Sequence, residues 1–155
     1  MVLVSITMFT MPTVAFIHVA PGSRLPMKSI QSVVAETGLG LVGDRYHGTR
    51  HRHVSVQSLT SLLEASKILG SPIEVSATRR NITITEGDVP RKPGHRITIG
   101  SVELEVVRVA APCRLLDDVI GAGAARSLHN RAGSICRVLS GGTINVGDSV
   151  SFESF

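Results

Sequence analysis

Cys113 is the residue of this sequence whose surroundings most clearly suggest chemistry. It lies in the run Arg108-Val109-Ala110-Ala111-Pro112-Cys113-Arg114, where a proline stops an apolar stretch and a thiol stands next to a guanidinium. A cation beside a thiol favours the thiolate, which is the form that binds soft metals and attacks electrophiles. The alternative is that Cys113 is simply a small apolar residue of the core.

The second cysteine, Cys136, lies in an apolar stretch that is typical of a strand, and we predict a buried thiol without a chemical role. The two cysteines are far apart in the sequence and form no Cys-x-x-Cys pair. This spacing disfavours both a disulfide framework and a structural zinc site. Cys113 is therefore the cysteine for which a chemical role is the open alternative.

Three polar residues, Arg79, Arg80 and Asn81, directly precede a predicted strand. Two guanidiniums and a carboxamide at a strand entrance offer forked donors that suit a phosphate or a polar heterocycle. The alternative is a pair of mobile surface charges beside the strand. What lies next to these residues in the fold decides between the two interpretations.

Residues 47–53 combine three histidines (His47, His51 and His53) with two arginines. Histidines four residues apart on a helix can share a zinc ion, but Gly48 and Thr49 weaken any helix here, and neighbouring cations oppose a divalent metal. The same charges attract phosphate. The segment therefore favours an anion site over a zinc site, with a solvated basic loop as the alternative.

The preceding segment, Gly38-Leu39-Gly40-Leu41-Val42-Gly43, has the glycine spacing of a dinucleotide-binding loop. That fingerprint requires a helix that begins at the last glycine, because the pyrophosphate lies on the helix N-terminus. The residues that follow, 44–49, have no apolar helical face. We therefore interpret the glycines as a tight turn that orients Asp44 and Arg45.

The composition predicts one globular domain with an anionic partner. Of 155 residues, 43% are hydrophobic and 18% are charged, which is typical of a packed chain. The net charge of +4 favours an anionic partner. With only four Phe, one Tyr and no Trp, the chain is poorly equipped to stack nucleic-acid bases, so we expect no nucleic-acid partner.

The N-terminus lacks the pattern of a signal peptide. Its apolar run is interrupted by Ser5, Thr7 and Thr10, and no basic residue precedes it. We predict an N-terminal extension over residues 1–11, a single domain over residues 12–155, no membrane span and a cytoplasmic location.

The elements that must position these residues are mainly strands. Short apolar or alternating runs separated by glycine and proline predict a β-barrel or closed sheet. A long helix is expected from Ser58 to Leu69, and a short one over residues 122–129. The predicted strands are Thr13–Val19, Ser32–Ala35, Val54–Val56 and Asn81–Thr85, with a hairpin formed by His95–Ile99 and Val102–Val106.

Taken together, these segments resemble a MOSC domain, the module named for the C-terminal part of molybdenum cofactor sulfurases. The resemblance covers residues 12–155 and is carried by six motifs in the order of the family. They are Gly40–Tyr46, Arg52–Val56, Arg79–Ile82, Gly94–Gly100, Pro112-Cys113 and Gly141–Asp148.

The resemblance implies a mainly β, barrel-like fold with one long and one or two short helices. It also implies binding of the molybdenum cofactor and reduction of N-hydroxylated small molecules with electrons from a reductase partner. Cys113 matches the family's cysteine ligand to molybdenum, and Arg79 and Asn81 match its cofactor contacts. Arg80 is expected to add a donor, and Arg45, Arg52 and His53 a positive rim.

A second interpretation assigns a different activity to the same fold. Cys113 could accept sulfur as a persulfide from a cysteine desulfurase, which would make the chain a sulfur carrier or cofactor-handling module. The pyridoxal-phosphate domain of the sulfurases is absent from this sequence, so we expect no pyridoxal phosphate.

Overall fold

A computed structural model describes residues 11–153 of the chain. The prediction for residues 1–10 lies outside the described residues. The eleven strands are β1 (Val14–Val19), β2 (Lys28–Ile30), β3 (Ser32–Glu36), β4 (Gly40–Leu41), β5 (Val54–Ser58), β6 (Ile82–Ile84), β7 (Arg96–Ile99), β8 (Val102–Val109), β9 (Ser134–Ser140), β10 (Gly142–Asn145) and β11 (Val150–Glu153). The α-helices are α1 (Leu59–Leu69), α2 (Leu115–Val119) and α3 (Ala124–Ser127), and Val75–Thr78 forms a 3₁₀ turn.

The strands form two sheets. The larger has eight strands in the order β11-β7-β8-β9-β5-β6-β1-β2, and the smaller has the order β10-β3-β4. The predicted mainly β class is confirmed, whereas within residues 11–153 the sheets do not close into a barrel. Closure would require the edge strands β11 and β2 to pair, but β2 is only three residues long and Lys28 and Ser29 are exposed.

The predicted hairpin is confirmed as β7 and β8, which pair around Gly100-Ser101 with Ile99 opposite Val102. Alternating residues of both strands are buried because a strand directs successive side chains to opposite faces. They belong to a core that extends across both sheets and includes Ile17, Leu41, Val56, Ile82, Leu104 and Ile144.

A second apolar cluster lies where the helices pack together and includes Leu62, Leu116, Ala124, Leu128 and Ala132. The helix α3 contacts both α1 and α2, and α1 also contacts β5. This layer fixes α2, which begins two residues after Cys113, and so connects the candidate thiol to the rest of the fold. No helix in the described part of the chain combines the length and the apolar character needed to cross a membrane.

The long helix predicted from Ser58 is confirmed as α1. Ser58 precedes its first residue, and its hydroxyl accepts a hydrogen bond from the Ser61 N–H at 3.1 Å. Gly70 ends the helix in the left-handed conformation, which glycine adopts without strain. The second predicted helix is shorter, since α3 covers four residues, and α2 was not predicted.

The Ser58 cap leads to a stability prediction. Ser58→Ala removes the acceptor for the Ser61 N–H and is expected to lower the free energy of unfolding by about 1 kcal/mol in urea denaturation. Ser58→Thr keeps the hydroxyl and serves as the matched variant. Equal stability of the two variants would contradict the capping role.

Candidate functional site

Cys113 lies in an exposed loop between β8 and α2. The loop is attached at both ends: the Ala110 N–H donates to the Gly133 carbonyl at 3.0 Å, and the Leu116 N–H donates to the Cys113 carbonyl at 3.0 Å. Cys136, in contrast, is fully buried in β9, and burial raises the pKa of its thiol to about 12. Cys113 is therefore the thiol that can meet a ligand.

Arg80 lies beside the Cys113 loop. It is only 6% exposed, and its Nε and Nη2 donate to the carbonyls of Ala132 (3.1 Å) and Ala111 (3.4 Å). Burial lowers the pKa of Arg80 to about 10, and the charge of Cys113 acts in the opposite direction. The structure therefore places the Arg80 guanidinium against the loop that carries Cys113.

Arg79, the residue before Arg80, lies in a strained turn. Its φ of 60° is left-handed, which costs energy for a residue with a side chain. Its carbonyl accepts a hydrogen bond from Arg45 Nη2 at 3.2 Å, and its own Nη2 is buried without a hydrogen-bond partner among the described residues. Burial lowers the pKa of Arg79, and the charge of Arg45 adds to that effect. A buried guanidinium N–H without a partner is unusual in a folded protein and marks a donor that lacks an acceptor.

Tyr46 organises the two remaining arginines. The Cζ atoms of Arg45 and Arg52 lie 4.5 and 4.2 Å from the centre of its ring, within the range of cation–π attraction. Arg45 also pairs with the buried Asp44 carboxylate at 3.2 Å. Arg52 Nε, like Arg79 Nη2, is buried without a partner in the described chain.

The segment before Tyr46 is fixed by Asp44. Its Oδ1 accepts from the Ala20 N–H at 3.1 Å, and its Oδ2 accepts from the Tyr46 N–H at 3.3 Å. The interpretation of Gly38–Gly43 as a turn that orients Asp44 and Arg45 agrees with this geometry. Sequence analysis assigned no role to Tyr46, and its position between two basic residues was the available signal.

The carboxamide of Asn81 already has hydrogen-bond partners within the fold. Its Oδ1 accepts from the Ser55 N–H at 3.0 Å and lies 3.1 Å from the Ser55 hydroxyl, and its Nδ2 donates to the His18 carbonyl at 3.1 Å. Asn81 is also buried. The expected cofactor contact is therefore corrected to a supporting role: Asn81 ties β1 and β5 to the start of β6, directly after Arg79 and Arg80.

His53 is likewise a supporting residue and not part of a positive rim. It is 1% exposed, its Nε2 lies 2.7 Å from the Thr49 carbonyl, and its Nδ1 accepts from the Val138 N–H at 3.0 Å. These partners assign the neutral tautomer with the proton on Nε2. Burial lowers the pKa of His53, and the charge of Arg137 lowers it further, while the Thr49 contact opposes the shift.

The histidine-rich stretch does not gather its side chains around one point. His47 Nε2 pairs with Glu36 at 3.0 Å, His51 is exposed, and His53 is buried. In residues 11–153, no group of three or more His, Cys, Asp and Glu side chains could hold a metal ion.

The buried histidines predict a dependence of stability on pH. Burial lowers the pKa of His18 and His53 from the ordinary value of 6.5, so the unfolded chain binds protons first as the pH falls. The free energy of unfolding should keep its full value above pH 6.5 and should decrease as the pH falls below 6.5. Denaturation at pH 7.5 and 5.5 measures this loss, and His53→Gln should reduce it. Equal stability at both pH values would contradict the assignment.

We call Arg45, Tyr46, Arg52, Arg79, Arg80 and Cys113 the thiol–arginine cluster. Of its four guanidiniums, only that of Arg45 pairs with a carboxylate among the described residues, that of the buried Asp44, and Arg52 Nε and Arg79 Nη2 are buried without a partner. This arrangement attracts an anion and offers it charge-assisted hydrogen bonds, and the exposed thiol adds a soft ligand at its edge.

One comparison with known proteins identifies a family. The family model of the MOSC domain matches residues 43–151. That range contains all six residues of the thiol–arginine cluster. A search of curated proteins gives no significant match.

Solved structures share the fold at low sequence identity. The YuaD protein from Bacillus subtilis is 21% identical, with a TM-score of 0.82 over 94% of this chain and 97% of that one. YiiM from Geobacillus stearothermophilus is 15% identical, with a TM-score of 0.72 over 92% of this chain and 75% of that one. YiiM from Escherichia coli is 15% identical, with a TM-score of 0.68 over 92% and 70%.

Proposed function

Because the chain belongs to the MOSC domain family, we propose that it binds the molybdenum cofactor in the thiol–arginine cluster and reduces N-hydroxylated compounds. The observation that carries the proposal is the pair of buried, unpaired guanidinium N–H groups of Arg52 and Arg79. Arg80, next to Arg79 in the chain, feels the charges of both Arg52 and Cys113 and donates to the Ala111 carbonyl of the Cys113 loop. Each buried donor without an acceptor costs free energy that a bound anion would recover.

The residues fit the chemistry of the group. The cofactor carries a phosphate, which suits the arginines, and a molybdenum held by soft sulfur, which suits a thiolate. Arg52 and Arg79 have free donors for the phosphate and the polar edge of the pterin. Arg80 uses its Nε and Nη2 on the carbonyls of Ala132 and Ala111, so its contribution is the position of the Cys113 loop and a local positive charge.

Each residue of the cluster then has a defined task. Cys113 would ligate molybdenum, Arg52 and Arg79 would bind the anionic end of the cofactor, and Tyr46 holds Arg45 and Arg52 in place. When bound, the cofactor supplies a metal centre that exchanges two electrons with the substrate. The reaction consumes two electrons and two protons, breaks the N–O bond, and gives the N–H product and water. A reductase partner supplies the electrons.

Reduction of an amidoxime by the loaded protein tests the function. The protein is produced in cells that make the cofactor, and dithionite-reduced methyl viologen replaces the reductase. We expect viologen oxidation that depends on the amidoxime, with one amidine formed per two electrons. Loaded protein that consumes no amidoxime would overturn the proposed reaction.

The sulfur-carrier function remains the second candidate, because an exposed thiol is accessible to a desulfurase. Incubation with a cysteine desulfurase and cysteine, followed by intact-mass measurement, separates the two functions. An adduct of about 32 Da on Cys113, in protein that retains no molybdenum, would favour the carrier. The reductase predicts retained molybdenum instead.

A further inference from the structure

Thr49 is a residue that the proposed chemistry has not used, although it lies among residues of the thiol–arginine cluster. The loop between β4 and β5, residues 42–53, consists of turns and bends and carries Arg45, Tyr46 and Arg52. Within it, the Thr49 hydroxyl lies 2.8 Å from the Tyr46 carbonyl oxygen and 3.0 Å from the Arg52 carbonyl oxygen. One half-buried side chain therefore joins the two ends of the segment that places Arg52 on the Tyr46 ring.

The backbone of Thr49 is itself fixed on both sides. Its N–H donates to the Tyr46 carbonyl at 3.1 Å, and its carbonyl accepts a hydrogen bond from His53 Nε2 at 2.7 Å. His53 is in turn attached to β9, because its Nδ1 accepts from the Val138 N–H at 3.0 Å. Thr49 is therefore tied to the large sheet, and its hydroxyl holds the loop carbonyls at that place.

The two carbonyls depend on this hydroxyl to different degrees. A hydroxyl has one proton, which it donates to one of the carbonyl oxygens or shares between them. If the hydroxyl were removed, the Tyr46 carbonyl would keep the Thr49 N–H as a donor. The Arg52 carbonyl would lose the Thr49 donor and would gain by turning towards water. Loss of the hydroxyl is therefore expected to release the Arg52 end of the loop first.

The position of Arg52 matters because its guanidinium is fixed before any ligand binds. Its Cζ lies 4.2 Å from the centre of the Tyr46 ring, and its Nε is buried without a partner among the described residues. Arg50 and His51, on the same loop, are exposed. A donor that is already fixed loses less conformational freedom when an anion binds than a mobile surface charge does. The affinity of Arg52 for an anion therefore depends on what holds its end of the loop.

We propose that Thr49 is a positioning residue of the anion site: its hydroxyl holds Arg52 on the Tyr46 ring, so that the guanidinium is in place to receive the phosphate of the cofactor. This inference rests on the anion-binding role that the proposed function gives to Arg52. Thr49 acts through Arg52 and takes no part in bond breaking. The hydroxyl should raise the affinity for an anion, and this effect should disappear when Arg52 is replaced.

Binding of inorganic phosphate to the cofactor-free protein tests the inference without an assay of the loaded enzyme. Isothermal titration calorimetry should show a phosphate site in the wild type. Thr49→Val keeps the size of the side chain but removes the hydroxyl, and it should weaken binding by about tenfold. Thr49→Ser keeps the hydroxyl and should remain within about twofold of wild type. Adding Thr49→Val to Arg52→Met should weaken binding by no more than about twofold beyond Arg52→Met alone.

Ser66→Ala is the matched control, because the Ser66 hydroxyl also donates to a backbone carbonyl, that of Leu62 at 2.8 Å, but lies on α1. It should leave phosphate binding unchanged. Equal affinities of wild type and Thr49→Val, or a loss from Thr49→Val that is as large in the Arg52→Met background, would overturn the inference. Wild-type protein that binds no phosphate would overturn it as well. Phosphate binding that follows the expected pattern, in protein that takes up no molybdenum in cofactor-producing cells, would overturn the proposed function and leave the role of Thr49 standing.

Discussion

Cys113→Ser is expected to reduce the amidoxime reductase rate to the background without protein, a loss of at least about 1,000-fold. Serine keeps the size and the exposed position of the side chain. However, its hydroxyl stays protonated at neutral pH and is a hard oxygen donor, which is a poor replacement for a soft sulfur ligand. The viologen-linked rate at saturating amidoxime measures the loss.

Cys136→Ala supplies the matched control for a cysteine substitution. Cys136 is fully buried, and its thiol, with a pKa of about 12, is protonated at neutral pH. Its replacement should lower stability through a small cavity but leave the rate per folded molecule unchanged. A Cys113→Ser variant that keeps more than a tenth of the wild-type rate would contradict the assignment of Cys113 as ligand.

Gly133→Ala is expected to destabilise the fold by about 3–6 kcal/mol, a large share of the stability of a single domain. Gly133 has a φ of +83°, and an added Cβ would lie 2.7 Å from the carbonyl carbon of Val56 and 2.9 Å from the Cα of Gln57. Both neighbours are backbone atoms of β5, so neither can rotate away. Urea denaturation measures the loss, and a low yield of folded protein would agree with it.

Gly147→Ala isolates the backbone part of this effect. Gly147 has a similar φ of +94°, but an added Cβ would meet nothing within 4 Å. We expect a loss of about 1 kcal/mol there. Equal losses at the two glycines would contradict a steric role for Gly133. Because Gly133 accepts the bond from Ala110 and follows Ala132, which binds Arg80, its close approach to β5 also sets the position of the Cys113 loop.

Several residues of the candidate site could be identified from the sequence because they lie in short motifs. Cys113 follows a proline at the end of a strand, and Arg79 and Arg80 precede one, so local patterns identified them as candidates. The hairpin of β7 and β8 and the helix α1 were predictable for the same reason. Period-two alternation, a two-residue turn and a serine cap are local signals.

The roles of Asn81 and His53 were not accessible in this way. Each is a polar residue beside basic neighbours, and only the register of the sheet decides where its side chain lies. Asn81 meets Ser55 because β5 and β6 pair in parallel, and His53 meets Val138 because β5 pairs with β9. Such pairings join residues far apart in sequence, which no local pattern reports.

The helix α2 was missed because five residues give too little periodicity to reveal a helix. Tyr46 was missed for a different reason. Its function is to contact two arginines from the same loop, and that depends on the turn at Gly40–Asp44. The open sheet was also unpredictable, because closure depends on the pairing of edge strands from opposite ends of the chain.

The content of molybdenum and pterin in the purified protein tests the central claim most directly. Protein from cofactor-producing cells should carry both in near-equimolar amounts. The double variant Arg52→Met/Arg79→Met should lose most of both while remaining folded, since Arg52 Nε and Arg79 Nη2, two of the buried donors that it removes, have no partner within the described chain. Wild-type protein free of molybdenum and pterin, from cells in which a known molybdenum enzyme is loaded, would contradict the account.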